Sequence, residues 1–291
     1  MKSAPFTYHR PMAIDDAVGL LAELAPLDGR VLAGGQSLVP VMAFRLARPA
    51  HLIDINAVTG LGEVTQRGGA LHIGANVRHA AFHRPDFAGP LGGLLTSVVP
   101  HIAHYPIRVR GTFCGSLAHA DPAAEWCLVA ATLDAELVAV STRGQRALAA
   151  RDFFLGAMET ALAPDELLLE ARLSLLPDDI SFGFAEFSRR AGDYALAMAL
   201  AILRLEGRVI GAPRLGLGAV EARPRRIAAA ETFLAGKAPS AALFREAGAI
   251  AAAAVEPLED AQADAGYRRE LAQAMVFRAL ARACPVPGPA A

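Results

Sequence analysis

Apolar and polar positions change period several times along this chain. Asp15 and Asp16 precede Ala17-Val18-Gly19-Leu20-Leu21-Ala22-Glu23-Leu24, whose spacing predicts a short amphipathic helix with acidic residues at its positive end. Val31-Leu32-Ala33 predicts a buried strand, Gly34-Gly35-Gln36-Ser37 the turn after it, and Leu38 to Leu46 a helix ending in Arg45 and Arg48. His51-Leu52-Ile53-Asp54-Ile55 predicts the next strand. Strand, turn, helix and strand within the length of one βαβ unit predict an α/β subdomain.

A second unit follows. Leu71-His72-Ile73-Gly74-Ala75 alternates as a strand does, and Val77 to His83 and Leu91 to Ala103 predict helices. Pro122 to Leu133 also reads as a helix, and Glu136 to Val140 and Leu167 to Leu173 as strands. The character of the chain changes at Leu176-Pro177-Asp178-Asp179, where a domain boundary is expected. Beyond it, Ala195–Leu205 and Val209–Val220 flank Glu206-Gly207-Arg208, a hairpin signal. Ile227–Leu234, Ala241–Val255 and Tyr267–Ala283 predict three alanine-rich helices, and Pro285-Val286-Pro287-Gly288-Pro289 a loose tail.

Composition narrows the class. With 291 residues, 54% of them hydrophobic and 20% charged, the chain can bury the core of one to three domains and is not a disordered one. A net charge of −1 argues against nucleic acid as the main partner. The three cysteines, Cys114, Cys127 and Cys284, form no CxxC pair, so neither a disulfide framework nor a zinc or iron–sulfur site is expected. The first ten residues lack the apolar core of a signal peptide, and the alanine-rich stretch Ala247–Val255 is too short to span a bilayer. A soluble, cytoplasmic protein is expected, with no membrane span.

Two small-residue segments hold the candidate chemistry: Ala33-Gly34-Gly35-Gln36-Ser37-Leu38, and Gly111-Thr112-Phe113-Cys114-Gly115-Ser116-Leu117-Ala118-His119-Ala120-Asp121-Pro122. Glycine lets backbone N–H groups close on an anion, so two such turns suggest one ligand held at two points, such as the pyrophosphate of a dinucleotide. Neither matches GxGxxG or GxxxxGK[ST], which disfavours a nicotinamide Rossmann site and a P-loop. The second could equally be a helix start capped by Asp121-Pro122, with Glu125 completing a capping arrangement. His79 and His83 stand four apart without a third ligand and read as a solvated face; His101 and His104 read as pocket lining or a helix end. No nucleophile elbow, triad or general acid/base pair can be assembled. That absence suits a protein holding a redox cofactor whose own ring does the chemistry. A third segment, Phe187-Ser188-Arg189-Arg190-Ala191-Gly192-Asp193-Tyr194, reads either as a charged hairpin turn or as a loop placing Tyr194 beside a flat ring.

In that order these residues resemble the FAD-binding medium subunit of the molybdenum hydroxylases, the group of aerobic carbon monoxide dehydrogenase and the FAD domain of xanthine dehydrogenase. The likeness rests on Ala33 to Pro40 with Arg45-Leu46-Ala47-Arg48-Pro49, on Ile107 through Glu125, and on Arg189 to Tyr194, with Tyr267-Arg268-Arg269 and Arg278-Ala279-Leu280 near the end. It implies an α+β fold: a two-part FAD-binding domain of the vanillyl-alcohol-oxidase (PCMH) type over 1–177, divided near 57/58, then a smaller C-terminal α+β domain over 178–287 and a tail at 288–291. It implies non-covalent FAD, with Ala33, Gly34, Gly35, Gln36, Ser37 and Leu38 and then Gly111, Thr112, Cys114, Gly115 and Ser116 around the pyrophosphate. Ile102 would lie against the isoalloxazine ring, Asp121 or Glu125 at the ribityl or ribose portion, Leu167 near the flavin and Tyr194 close to the ring, with His119 in the same site. It implies a molybdenum-containing large subunit and a small subunit with two [2Fe–2S] clusters as partners, in a dimer of heterotrimers. Two departures stand out: Cys114 takes the place of a glycine, and many members carry a lysine near Glu186, where this chain has none. A self-contained flavin oxidase would need a base over the ring and often a histidine for covalent attachment, for which only His104 and His119 offer themselves. A flavin-free assembly protein is the remaining alternative, against which the retained glycines and Tyr194 argue.

Overall fold

The computed structural model describes residues 2–285, so the tail at 288–291 lies outside the described residues. The first part comprises β1 (Thr7–His9), α1 (Ile14–Leu24), β2 (Gly29–Leu32), α2 (Leu38–Ala43) and β3 (His51–Asp54). The strands form a parallel sheet in the order β1-β3-β2, so β2, α2 and β3 make the βαβ unit the sequence predicts. Helix α1 buries Ala17, Val18, Leu21 and Leu24, one stripe at helical spacing. Helix α2 stops three residues short of Leu46, because Arg45 turns into the left-handed region (φ 58°) and Leu46 N–H returns to Val41 O.

The second part comprises β4 (Val64–Arg67), β5 (Ala70–Gly74), α3 (Gly89–Val98), α4 (Tyr105–Arg108), α5 (Phe113–His119), α6 (Glu125–Thr132), β6 (Glu136–Ser141), β7 (Gly144–Ala149), α7 (Ala150–Phe153), β8 (Phe154–Gly156), β9 (Glu159–Thr160) and β10 (Leu167–Ser174). Five of its strands build an antiparallel sheet in the order β4-β5-β10-β6-β7, and β8 pairs with β9. Three expected elements change here. Val77–His83 is not an α-helix: Val77 O accepts Phe113 N–H and Arg78 bridges Thr112, so the backbone is committed to extended pairing and only a 3-10 turn at His79–His83 follows. The helix expected to reach Ala103 ends at Val98, since Pro100 has no N–H with which to continue the ladder. The small-residue segment at Gly111–Pro122 is mostly helix α5 rather than a turn.

The third part comprises β11 (Ile180–Phe187), β12 (Ala197–Glu206), β13 (Val209–Ile210), β14 (Arg214–Gly218), β15 (Arg225–Arg226), α8 (Ala228–Leu234), α9 (Ala241–Ala253) and α10 (Ala265–Ala283). The sheet is antiparallel in the order β11-β12-β14-β15, with β13 on the end of β12. The run expected at Val209–Val220 breaks at Gly211-Ala212-Pro213 into two strands. Strand β11 was not expected; it is recognisable only through its partner β12, whose Ala197–Leu203 are all buried. Helix α10 lies so close on β11 that a Cβ at Gly183 would sit 2.1 Å from Ala279 O.

The first two parts share one apolar core, built around residues such as Ile53, Phe113, Trp126 and Leu173 and reached by Phe184 from β11. The third part has its own, around Leu217, Phe244 and Met275. Among the described residues no helix is long and apolar enough to cross a membrane.

Candidate functional site

A cavity of 580 Å³ opens where the three parts meet. That volume falls within the range of small-molecule and cofactor pockets. The first part contributes Ala33, Gly34, Gly35, Gln36, Ser37 and Leu38 from the loop between β2 and α2. The second contributes Ile102, Gly111, Thr112, Gly115, Ser116, His119, Asp121 and Glu125, and the third Gly192, Asp193 and Tyr194. A further hollow of 290 Å³ lies on the other side of the first turn, against Asp54, Asn56 and Arg110.

The glycines bring the two small-residue segments together. A Cβ on Gly34 would meet Arg110 O at 2.3 Å and Gly111 Cα at 2.6 Å, so the segments touch backbone to backbone. Gly35 has φ +72°, a region open to glycine. The turn is held by Val39 N–H donating to Gly35 O and by Gln36 Nε2 donating to Gly34 O. Among the described residues the backbone N–H groups of Gly35, Gln36 and Ser37 donate to no acceptor, which leaves three donors at the mouth of the cavity. Gly111 packs on the imidazole of His79, where a Cβ would approach Nε2 to 2.6 Å.

On the second segment Thr112 is the N-cap of α5, its hydroxyl accepting Gly115 N–H at 3.0 Å. Thr112→Val should remove that cap and destabilise the protein by about 0.5–2 kcal/mol, read as a lower thermal midpoint with an unchanged far-UV spectrum. Asp121 does not cap α6: its Oδ1 accepts Ala123 N–H at 2.8 Å, and Ala124 is the N-cap without a side-chain bond. Helix α6 therefore begins at Glu125, not Pro122, after a tight turn that leaves the carboxylate side of Asp121 on the cavity.

Cys114 and Leu167 stand apart from the cavity. Cys114 is 2% exposed, lies within α5 with ordinary helical backbone, and points its Sγ at Ile73 O. A side chain there costs no strain because α5 turns that position inward, and burial pushes its thiol well up. Leu167 is buried at the start of β10, opposite Val140.

His79, read as part of a solvated face, is instead 6% exposed and lines the cavity. Burial, then the charges of Arg108 and Arg78, bring its pKa down to about 3, so the ring is neutral. Its Nδ1 accepts Trp126 Nε1–H at 2.9 Å, which leaves the proton on Nε2, beside Gly111. The apolar neighbours Val77 and Phe82 are the sequence signal that could have marked this histidine as buried.

Gly192 packs on the ring of His104, again with positive φ (+86°), and this sets the path of the loop that presents Tyr194. Tyr194 is 68% exposed at the rim. Desolvation at the cavity wall, with the charges of Asp121 and Glu125, raises its hydroxyl above the usual value. Glu125 is buried in the wall, and burial, helped by Asp121, pushes its carboxyl up to about 7. No cluster of side chains able to hold a metal ion occurs among the described residues.

The cavity's volume, its free N–H donors and the backbone-to-backbone contact of Gly34 with Arg110 and Gly111 fit an anionic ligand such as FAD. Residues 4–173 match the family described as FAD binding domain in molybdopterin dehydrogenase, and residues 182–283 match the CO dehydrogenase flavoprotein C-terminal domain. The chain is 35% identical over 284 residues to the caffeine dehydrogenase subunit beta of a Pseudomonas species, covering 97% of this chain and 96% of that one. It is 35% identical to the carbon monoxide dehydrogenase medium chain of Afipia carboxidovorans, covering 96% of each. The crystal structure of quinoline 2-oxidoreductase from Pseudomonas putida contains a chain of 37% identity that superposes with a TM-score of 0.93, over 97% of this chain and 98% of that one.

Proposed function

Since the chain belongs to the family of FAD-binding medium subunits of molybdenum hydroxylases, we propose that it relays electrons between the [2Fe–2S] clusters of a small partner subunit and an external acceptor, with FAD as the carrier. A molybdenum-containing large subunit would oxidise the substrate, and the assembly would be a dimer of heterotrimers in the cytoplasm. The relatives' names, which include a medium chain and subunits of dehydrogenases, support such partners.

The observation that carries this reading is the meeting of two glycine-dependent backbone segments at one cavity, with three free N–H donors at its mouth. Bound FAD would supply a ring that accepts electrons singly and releases them singly or in pairs. The chain's own residues do the placing. Gly35, Gln36 and Ser37 offer N–H groups to a pyrophosphate, and Gly34 and Gly111 keep the two segments close enough to hold it together. His79 presents an Nε2–H donor that stays neutral across the physiological range. Ile102 supplies an apolar face, and Asp121 and Glu125 supply acceptors for hydroxyl groups. Tyr194, at the rim, limits access to the ring.

The purified full chain should be yellow and release FAD on heating. A colourless protein that cannot be reconstituted with added FAD would overturn the assignment. Affinity capture from native cells should recover molybdenum- and iron–sulfur-containing partners, and recovery of the chain alone would favour a self-contained oxidase.

A further inference from the structure

Three backbone carbonyls at the cavity wall share one donor. Arg108 Nη1 donates to Ile102 O at 2.7 Å, to Ala103 O at 2.8 Å and to Pro100 O at 3.2 Å. These carbonyls follow the end of α3 and the 3-10 turn at Val99–His101, where a helix leaves its last carbonyls without intrahelical partners and a nearby cation can take them. Ala103 stands in the left-handed region (φ 41°), which a residue with a Cβ adopts only where its surroundings hold it there. Ile102 and Ala103 line the cavity, and so does Ile107, next to Arg108 on α4.

The same turn reaches a second wall. His104 follows Ala103 as the N-cap of α4, and its O accepts the N–H groups of Ile107 at 2.8 Å and Arg108 at 3.2 Å, so turn and helix form one piece. The His104 ring lies against Gly192, where a Cβ would come within 2.7 Å of Nδ1. Gly192 belongs to the loop between β11 and β12. Among the described residues the hydrogen bonds of 188–194 stay within that loop: Ser188 Oγ and Asp193 N–H both donate to Arg190 O at 3.0 Å. The His104 ring supports the loop from outside, two residues before Tyr194 at the rim.

We propose that Arg108 is a positioning residue that holds two walls of the cavity with one guanidinium: the Ile102–Ala103 wall through three carbonyls, and the Tyr194 loop through His104. On the reading of the cavity as the FAD site, on which this rests, Arg108 sets how far Tyr194 covers the ring and so how readily an external acceptor reaches it. All three bonds come from one nitrogen. A lysine ammonium, with three N–H donors, can therefore stand in for it, and an uncharged chain of similar length cannot. Without the cation the three carbonyls lose their donor, Ala103 is free to leave its left-handed conformation, and the His104 ring moves off Gly192.

Trypsin reads the loop directly, because Arg189 and Arg190 are exposed within it; exposed Arg208, in the turn between β12 and β13 and away from the cavity lining, is the reference site. In the full-length apoprotein under native conditions, Arg108→Met should be cut after Arg190 about tenfold faster than the wild type, with the rate after Arg208 unchanged. Arg108→Lys should restore slow cleavage. His104→Ala, which keeps the carbonyl clamp, should match Arg108→Met at Arg190. A wild-type rate after Arg190 in Arg108→Met, or a lysine variant cut as fast as the methionine one, would overturn the proposal. If Arg108→Met does not fold, His104→Ala decides: faster cleavage after Arg190 alone supports the link, and a wild-type rate refutes it. In the FAD-reconstituted protein, Arg108→Met should make the flavin fluorescence more readily quenched by iodide, and an unchanged quenching constant refutes the effect on access. If the wild type binds no FAD, the functional reading fails instead, and the cleavage rates still decide whether Arg108 holds the loop.

Discussion

Gly34→Ala should leave the protein unable to retain FAD. The new methyl would stand 2.3 Å from Arg110 O and 2.6 Å from Gly111 Cα, and neither backbone group can swing aside as a side-chain end would. The loop after β2 must lift from the segment before α5, separating the Gly35–Ser37 N–H groups from the rest of the cavity. Overpacking of this kind costs about 1–3 kcal/mol, which is enough to lose a ligand bound across the contact. The flavin-to-protein absorbance ratio after gel filtration reads the effect directly. Gly62→Ala is the matched control: no atom lies within 4 Å of a Cβ there, so its flavin content should equal that of the wild type. Unchanged flavin in Gly34→Ala would mean that the two segments do not hold the cofactor between them.

The apoprotein should lose stability as the pH rises from about 5 to about 8, opposite to the usual behaviour of carboxylates. Glu125 and Glu186 carry folded-state values of about 7 and about 8, above those of an unfolded chain, because burial disfavours their charged forms. Between the unfolded and folded values the native state holds protons that the unfolded chain has released. Stability then falls by roughly 1.4 kcal/mol per pH unit for each such group, and the loss is complete above the folded values. Asp54, Asp165, Glu166, Glu170 and Asp260 act at the acid end. Their pKa values are lowered, by hydrogen bonds from Tyr8, Arg143, Arg146 and Arg172 or from the backbone, so their contribution is lost as the pH falls through the folded values. The two sets place the optimum at mildly acidic pH. Thermal midpoints across that range test this, and Glu186→Gln should make the alkaline limb shallower. An optimum above pH 8 would show that the two glutamates are solvated in the folded protein.

Local patterning determined a good deal on its own. The βαβ unit of β2, α2 and β3, the strands β6 and β10, and the helices α8 to α10 were legible because hydrophobic period and glycine or proline punctuation act within a few residues. The small-residue segments were legible as candidates for the same reason, and the structure brings most of their residues to one cavity. What the pattern could not decide depends on partners distant in the chain. Val77 and Arg78 are extended because Thr112 and Phe113 pair with them, and no window around Val77 contains those residues. His79 is held inside by Trp126, 47 positions away, which donates to it, and burial with the charges of Arg108 and Arg78 keeps it neutral. Cys114 faces the core rather than the cavity because α5 has begun by that point, and a helix turns successive side chains through about 100°. The glycines themselves were recognisable from the sequence, but their purpose was not. Gly34 is required less for the approach of a ligand than for the contact of two backbones that only the folded chain brings together.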